Sequence, residues 1–172
     1  MKTRTGSPAG AAAGFTLVEL VVTITIFAIL VSMAVPSFRD AALGSQVRSM
    51  ANALVASAAL ARSEAIKRNR AVTMCSSADG VTCDGGNWEK GWIVTQGGDV
   101  ILREPAVSTG FKVVQAGGIA NLNFSAVGLG TTPATMRVCR ATPSVGGQGR
   151  VVTLDTSGRA WVKTVKPVTS CP

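Results

Sequence analysis

The chain has 172 residues, room for one domain with an appendage but not for two full domains. It contains no His, which removes the commonest general base and a leading metal ligand, so most hydrolase and metalloenzyme chemistries are disfavoured from the outset. Formal net charge is +8, and fifteen of the seventeen basic residues follow Pro36 together with eight of the nine acids. The basic surface this implies suits an anionic partner such as nucleic acid, lipid headgroups or an acidic protein face; solubility alone is the plainer account.

Residues 1–14, MKTRTGSPAGAAAG, carry Lys2 and Arg4, no acid, and a run of small residues. Phe15 to Val35 then form a 21-residue apolar segment with one charge, Glu19. As a helix rising ~1.5 Å per residue, this segment matches the ~30 Å hydrocarbon core of a bilayer. The basic residues ahead of it predict a cytoplasmic N-terminus and a single pass. In an ordinary secretory signal the small-residue site follows the apolar core. Here Ala11-Ala12-Ala13-Gly14 precedes it, so a cut after Gly14 leaves the anchor on the mature chain. Glu19 would then lie one helical turn from the amine freed at Phe15. An acid inside a spanning segment costs about 2.5–3.5 kcal/mol at the centre and less near an end, and it ordinarily has a partner.

Gly14-Phe15-Thr16-Leu17-Val18-Glu19-Leu20 resembles the class III signal of type IV pilins and type II secretion pseudopilins. The resemblance implies cleavage after Gly14 by prepilin peptidase, methylation of Phe15, and a role for Glu19 in registering subunits during assembly.

Pro36 is expected to kink or locally break the helix. Beyond it Leu43, Val47, Met50, Leu54, Ala58, Ala61 and Ala65 step by three or four residues along one face, while Arg48, Arg62, Glu64 and Arg68 fall mostly elsewhere. A nearly continuous helix over about 16–69 follows, its second half packed on a globular domain. From Ala71 the texture becomes β-branched runs between Gly, Pro, Asn and Asp clusters. Strands are predicted at 71–76, 92–96, 100–104, 112–115, 122–125, 135–140, 150–155 and 159–165, with tight turns at Gly97-Gly98-Asp99 and Thr156-Ser157-Gly158. The fold class is α+β, one long N-terminal helix on antiparallel sheet. The predicted organisation is a leader at 1–14, a membrane or fibre-core helix at 15–35, its amphipathic continuation at 36–70, and a β-rich domain at 71–172.

Cys75, Cys83, Cys139 and Cys171 are separated by seven, fifty-five and thirty-one residues, which suits neither a zinc knuckle nor a redox pair. Two structural disulfides, and hence an oxidising compartment, are the better reading. Of three pairings, Cys75–Cys83 with Cys139–Cys171 is favoured, since the first closes a short Asp/Gly loop and the second ties down the C-terminus.

Ala61-Arg62-Ser63-Glu64-Ala65, the Cys75–Cys83 loop and Trp88-Glu89-Lys90-Gly91-Trp92 are similar to the GspH/FimT branch of minor pseudopilins, with good coverage over about residues 10–105. Trp88 and Trp92 read as half-buried packing anchors. The resemblance implies a minor subunit that initiates or caps a type IV pilus or a type II secretion pseudopilus. Its partners would be other minor and major pilins or pseudopilins, prepilin peptidase, an inner-membrane assembly platform and membrane lipid. It would sit in the bacterial inner membrane with its C-terminal domain in the periplasm.

No catalytic set, metal cluster or cofactor motif is present in the sequence, and an enzyme is not expected. Asp79, Asp84, Asp99 and Asp155 lie in turn-like contexts where short acids cap backbone N–H groups. Arg137, Arg140, Arg150, Arg159, Lys163 and Lys166 form a C-terminal basic set, with Trp161 between Arg159 and Lys163 on one strand face. Arg150, Arg159, Trp161, Lys163 and Lys166 are therefore candidate DNA contacts. Some FimT-like minor pilins bind DNA through a C-terminal Gly-Arg-x-Arg element; here Gly158-Arg159-Ala160-Trp161 lacks the second Arg.

Overall fold

The computed structural model describes residues 14–171 except 131, 146, 148 and 167. The leader predicted at 1–14 therefore lies, apart from Gly14, outside the described residues.

Helix α1 spans Leu17–Arg68 and contributes to two compact units, residues 1–39 and 40–172. It runs through Pro36 without interruption. The proline removes one N–H from the ladder and does not end the helix. At the other end Asn69 takes a positive φ of 50°, and the N–H of Arg70 donates to the Ala65 carbonyl, which stops the helix and turns the chain into the first strand.

In the first unit all described residues are exposed. Thr23, Thr25 and Ser32 donate their hydroxyls to the carbonyls of Leu20, Val21 and Ile29, so the only hydroxyls within the apolar stretch of the helix are spent on its own backbone. Such a helix is built for a surrounding that offers no water.

Among the described residues the second unit carries eight strands. These are β1 (Val72–Ser76), β2 (Trp92–Gln96), β3 (Asp99–Glu104), β4 (Phe111–Gln115), β5 (Asn121–Phe124), β6 (Ala134–Arg140), β7 (Gly149–Leu154) and β8 (Ala160–Val165). They make two antiparallel four-stranded sheets, ordered β3-β2-β1-β5 and β4-β6-β7-β8. All eight lie where β-branched runs and glycine turns predict them. The separation into two sheets arises because β5 pairs with β1 while β4 pairs with β6.

One core joins these layers. Val47, Ala51, Leu54, Ala58, Ala61 and Ala65 on α1 pack with Val72, Met74, Leu122 and Phe124 of the first sheet and Met136, Val138, Val152 and Leu154 of the second. Alanines at four of the six helix positions let the backbone approach the strands closely. Trp88 and Trp92 are fully buried, deeper than the half-burial their amphipathic rings suggest. Both indole N–H groups are satisfied: Trp88 donates to the Ile119 carbonyl (3.0 Å) and Trp92 to the Ser57 hydroxyl (2.9 Å).

Glu64, assigned from the wheel to the outer face, is buried. Its neighbours Arg68 and Lys67 explain the exception, because both pair with its carboxylate. The Arg68 hydrogen bond, aided by Lys67, holds its pKa below the ordinary range.

Cys75 is bonded to Cys83 and Cys139 to Cys171. The first bridge closes a loop organised by Asp79. That carboxylate accepts from the backbone N–H groups of Thr82 and Val81 and from the hydroxyls of Thr82 and Ser77. Those bonds, led by the Thr82 N–H, hold its pKa well below the usual carboxylate range.

Candidate assembly segment and basic sheet face

The residues predicted to direct processing lie at the start of α1. Thr16 caps the helix: its hydroxyl accepts from the Glu19 N–H (3.2 Å) and its carbonyl accepts from the Leu20 N–H (3.1 Å). Thr16-Leu17-Val18-Glu19 is the T-x-x-E spacing of a capping box, a signal that the sequence reading passed over. Glu19 consequently occupies the first turn, where the positive end of the helix macrodipole favours an anion. Helix geometry thus lowers the cost of an acid in an apolar segment. Gly14 and Phe15 precede the cap, and Phe15 is exposed.

The basic C-terminal set does not form one surface. Arg150 is buried, 6% exposed, and its Nη1 donates to the Gly149 carbonyl (3.0 Å). Its assignment as a surface DNA contact is therefore corrected: Arg150, Val152 and Leu154 alternate on the core side of β7. Arg140 is likewise buried, on the core side of β6. It donates through Nη2 to Asp40 (3.1 Å) and through Nε to the Ser144 carbonyl (2.8 Å). Lys166 is exposed beyond β8 and lines a separate cleft with Arg140 and Asp40.

What remains exposed are Arg137, Arg159, Trp161 and Lys163. Register places Lys163 opposite Val151 and Val151 opposite Arg137, so the two cations share one row across the second sheet. Trp161 lies two residues before Lys163 on β8, an edge strand, and is 41% exposed. Arg159 is not on that strand. It closes the preceding turn, its N–H bonded to the Asp155 carboxylate (3.0 Å) and its carbonyl accepting from the Asp155 N–H (3.1 Å). The Ser157 hydroxyl, with the Arg159 N–H, lowers the Asp155 pKa, which keeps the turn's acceptor ionised.

The profile of the Type II transport protein GspH family matches residues 50–158, more than half of the chain. The chain belongs to the GspH family. The match extends well beyond residue 105, through β4 to β7 and into the turn before β8. The prokaryotic N-terminal methylation motif matches residues 10–35, which include Gly14, Phe15, the Thr16 cap and Glu19. This motif and the apolar helix make the N-terminal segment a membrane anchor of the kind that pilin-like subunits carry into a fibre.

The fold is similar to that of the type IV minor pilin FimU of Pseudomonas aeruginosa. One crystal form gives a TM-score of 0.57 at 23% identity over 74% of this chain and 96% of that one. A second gives 0.54 at 24% identity over 73% and 99%. The minor pseudopilin EpsH of the Vibrio cholerae Type 2 Secretion System aligns at 0.47, with 17% identity over 70% of this chain and 97% of that one. No curated protein sequence matches the chain. The expected fold, a type IV pilin-like helix on antiparallel sheet, is the one observed.

Proposed function

We propose that this chain is a minor pilin or pseudopilin, a structural subunit and not an enzyme, that helps initiate or cap a type IV pilus or a type II secretion pseudopilus. The observation that carries the reading is a wholly exposed apolar helix, capped at Thr16 with its single acid in the first turn, on a chain whose globular part belongs to the GspH family. Residues 1–14 act as a leader, 15–35 as the anchor and fibre core, 36–70 as its continuation, and 71–172 as the periplasmic domain. Prepilin peptidase cuts after Gly14 and Phe15 becomes the methylated N-terminus. Lys2 and Arg4 support a cytoplasmic leader, and two disulfides support an oxidising compartment for the domain, hence a single pass through the inner membrane. Other pilins or pseudopilins, an inner-membrane assembly platform and lipid are the partners this reading requires.

Intact-mass analysis of the membrane-extracted protein tests the processing step. The expected mass lacks residues 1–14 and gains one methyl group. A mass showing the apolar helix removed would end the reading.

Exposed Arg159, Trp161 and Lys163 favour DNA contact as a second reading, with two cations for phosphates and an indole for stacking. Charge reversal at Arg159 and Lys163 is expected to abolish retention of duplex DNA by the full chain at moderate salt. Single neutralisations should flatten the log–log salt slope by about 1 each. Retention unchanged by the double reversal would remove this reading and leave the fibre role untouched.

A further inference from the structure

Where α1 enters the second unit, a cleft of about 420 Å³ opens between residues 40–47 of the helix and the far end of β6. Its lining includes Asp40, Gly44, Arg140, Ser144 and Lys166. Gly44 leaves the helix side open, since a Cβ there would meet nothing within 4 Å. The volume falls in the roughly 300–1,000 Å³ range of small-molecule sites.

Arg140 is the anomaly. It ends the inward series of β6 with Met136 and Val138 and is only 6% exposed. Its Nε donates to the Ser144 carbonyl, and its Nη2 to Asp40 and to the Ser144 hydroxyl. Its Nη1 is buried and has no hydrogen-bond partner. A guanidinium carries five N–H donors and cannot shed its charge, so leaving two of them unused in a buried place is costly. Charge is unbalanced there too. Asp40 pairs with Arg140, while Lys166 has no ion-pair partner among the described residues. The cleft therefore holds two cations against one acid, a surplus of one positive charge.

Position along the chain selects the anion. Five residues separate Asp40 from Val35, the last of the apolar run. That length rises about 7.5 Å as helix and reaches no more than about 18 Å fully extended. The headgroup layer outside a ~30 Å hydrocarbon core is about 5–8 Å deep on each side. With residues 15–35 in a bilayer, the chain keeps Asp40 within reach of headgroup phosphates.

We infer that this cleft binds a phosphate ester, with Arg140 Nη1 and Lys166 as its donors, and that a phospholipid headgroup supplies it. The inference rests on the membrane anchor proposed for residues 15–35. A phosphodiester carries one negative charge, equal to the surplus in the cleft. Occupancy gives Nη1 its acceptor and holds the domain at the membrane surface before assembly.

The test uses the full chain in neutral detergent micelles, with lipid added and counted by native mass spectrometry. Dilauroylphosphatidylglycerol is compared with dilauroylglycerol, which has the same acyl chains and no phosphate. One phosphatidylglycerol per chain should be retained, and dilauroylglycerol only at background. Lys166→Gln, at an exposed position, should weaken retention about tenfold, the loss of one charge-assisted contact. Gly44→Leu keeps every charge, favours the helix and fills the cleft, so it should abolish retention. Displacement of the lipid by sn-glycerol 3-phosphate supports the phosphate as the recognised group. Retention of that ester without retention of the lipid overturns the membrane source. Equal retention of both lipids, or retention unchanged by both substitutions, would mean acyl contact with the apolar helix and overturn the site. So would an unchanged lipid count beside a dimer that Gly44→Leu dissolves, which gives the cleft to a neighbouring subunit. A chain that stays dissolved without detergent contradicts the anchor; lipid lost from a chain that needs detergent strikes the cleft alone.

Discussion

Truncating Trp92 to alanine is expected to lower the unfolding free energy of the globular unit by about 3–5 kcal/mol, the range for deleting a buried large aromatic. Trp92 is 2% exposed at the start of β2, and its ring packs in the cluster that joins α1 to the sheets. Two losses combine. The cavity is large, and the Ser57 hydroxyl, itself 1% exposed, is left without its indole partner at 2.9 Å. Trp92→Phe separates them: it retains most of the volume and should cost about 1–3 kcal/mol, mainly the unpaired hydroxyl. Adding Ser57→Ala to Trp92→Phe should recover part of that cost, because both ends of the hydrogen bond are then gone. Urea unfolding of the full chain in detergent, followed by near-ultraviolet circular dichroism, measures all three. A Trp92→Ala cost under about 1.5 kcal/mol would show that the helix–sheet core does not depend on this ring. Against a total of about 5–15 kcal/mol for a domain, the expected value leaves the unit close to unfolding.

The same residues show what could be read before the structure was known. The stripe from Val47 to Ala65 has helical spacing and small side chains, and it is the face that α1 buries. Strand positions were legible because alternation and glycine turns are local signals. Partner choice was not: β5 lies beside β1 across nearly fifty residues, and nothing within either strand encodes that pairing. Charge misled where alternation would have corrected it. Arg140 continues the inward series Ala134, Met136, Val138, and Arg150 begins the inward series completed by Val152 and Leu154. Parity places both arginines inside; treating every cation as surface placed them outside. The Thr16 cap was legible too, because its T-x-x-E spacing is a local signal that ends on the same acid, Glu19.

Replacing Glu19 with alanine is expected to leave membrane insertion intact while reducing incorporation into fibres by at least about tenfold, the effect of losing roughly 1.4 kcal/mol of subunit contact. The two outcomes diverge for electrostatic reasons. An acid in an apolar segment opposes insertion, so its removal makes the helix a better anchor. Every large apolar residue from Phe15 to Phe38 is exposed in the single chain, so helix contacts in the fibre core are apolar and give little registration along the axis. Glu19 is the one charge in that segment, and α1 holds it in the first turn beside the Thr16 cap. A carboxylate there could pair with the amine that the proposed cut after Gly14 would free at Phe15, on its own chain or on a neighbour, and a point charge fixes register where a greasy surface cannot. Glu19→Gln should fail like Glu19→Ala, since it keeps the shape and removes the charge. Glu19→Asp should recover part of the incorporation, because the shorter acid reaches less far from the same turn. Thr16→Ala should act more weakly and through the helix start, fraying the first turn at a cost of about 1 kcal/mol. Quantifying the protein in sheared fibres against the membrane pool measures each variant. Full incorporation of Glu19→Ala would mean that apolar packing alone sets the register, and the assembly role given to this carboxylate would fall.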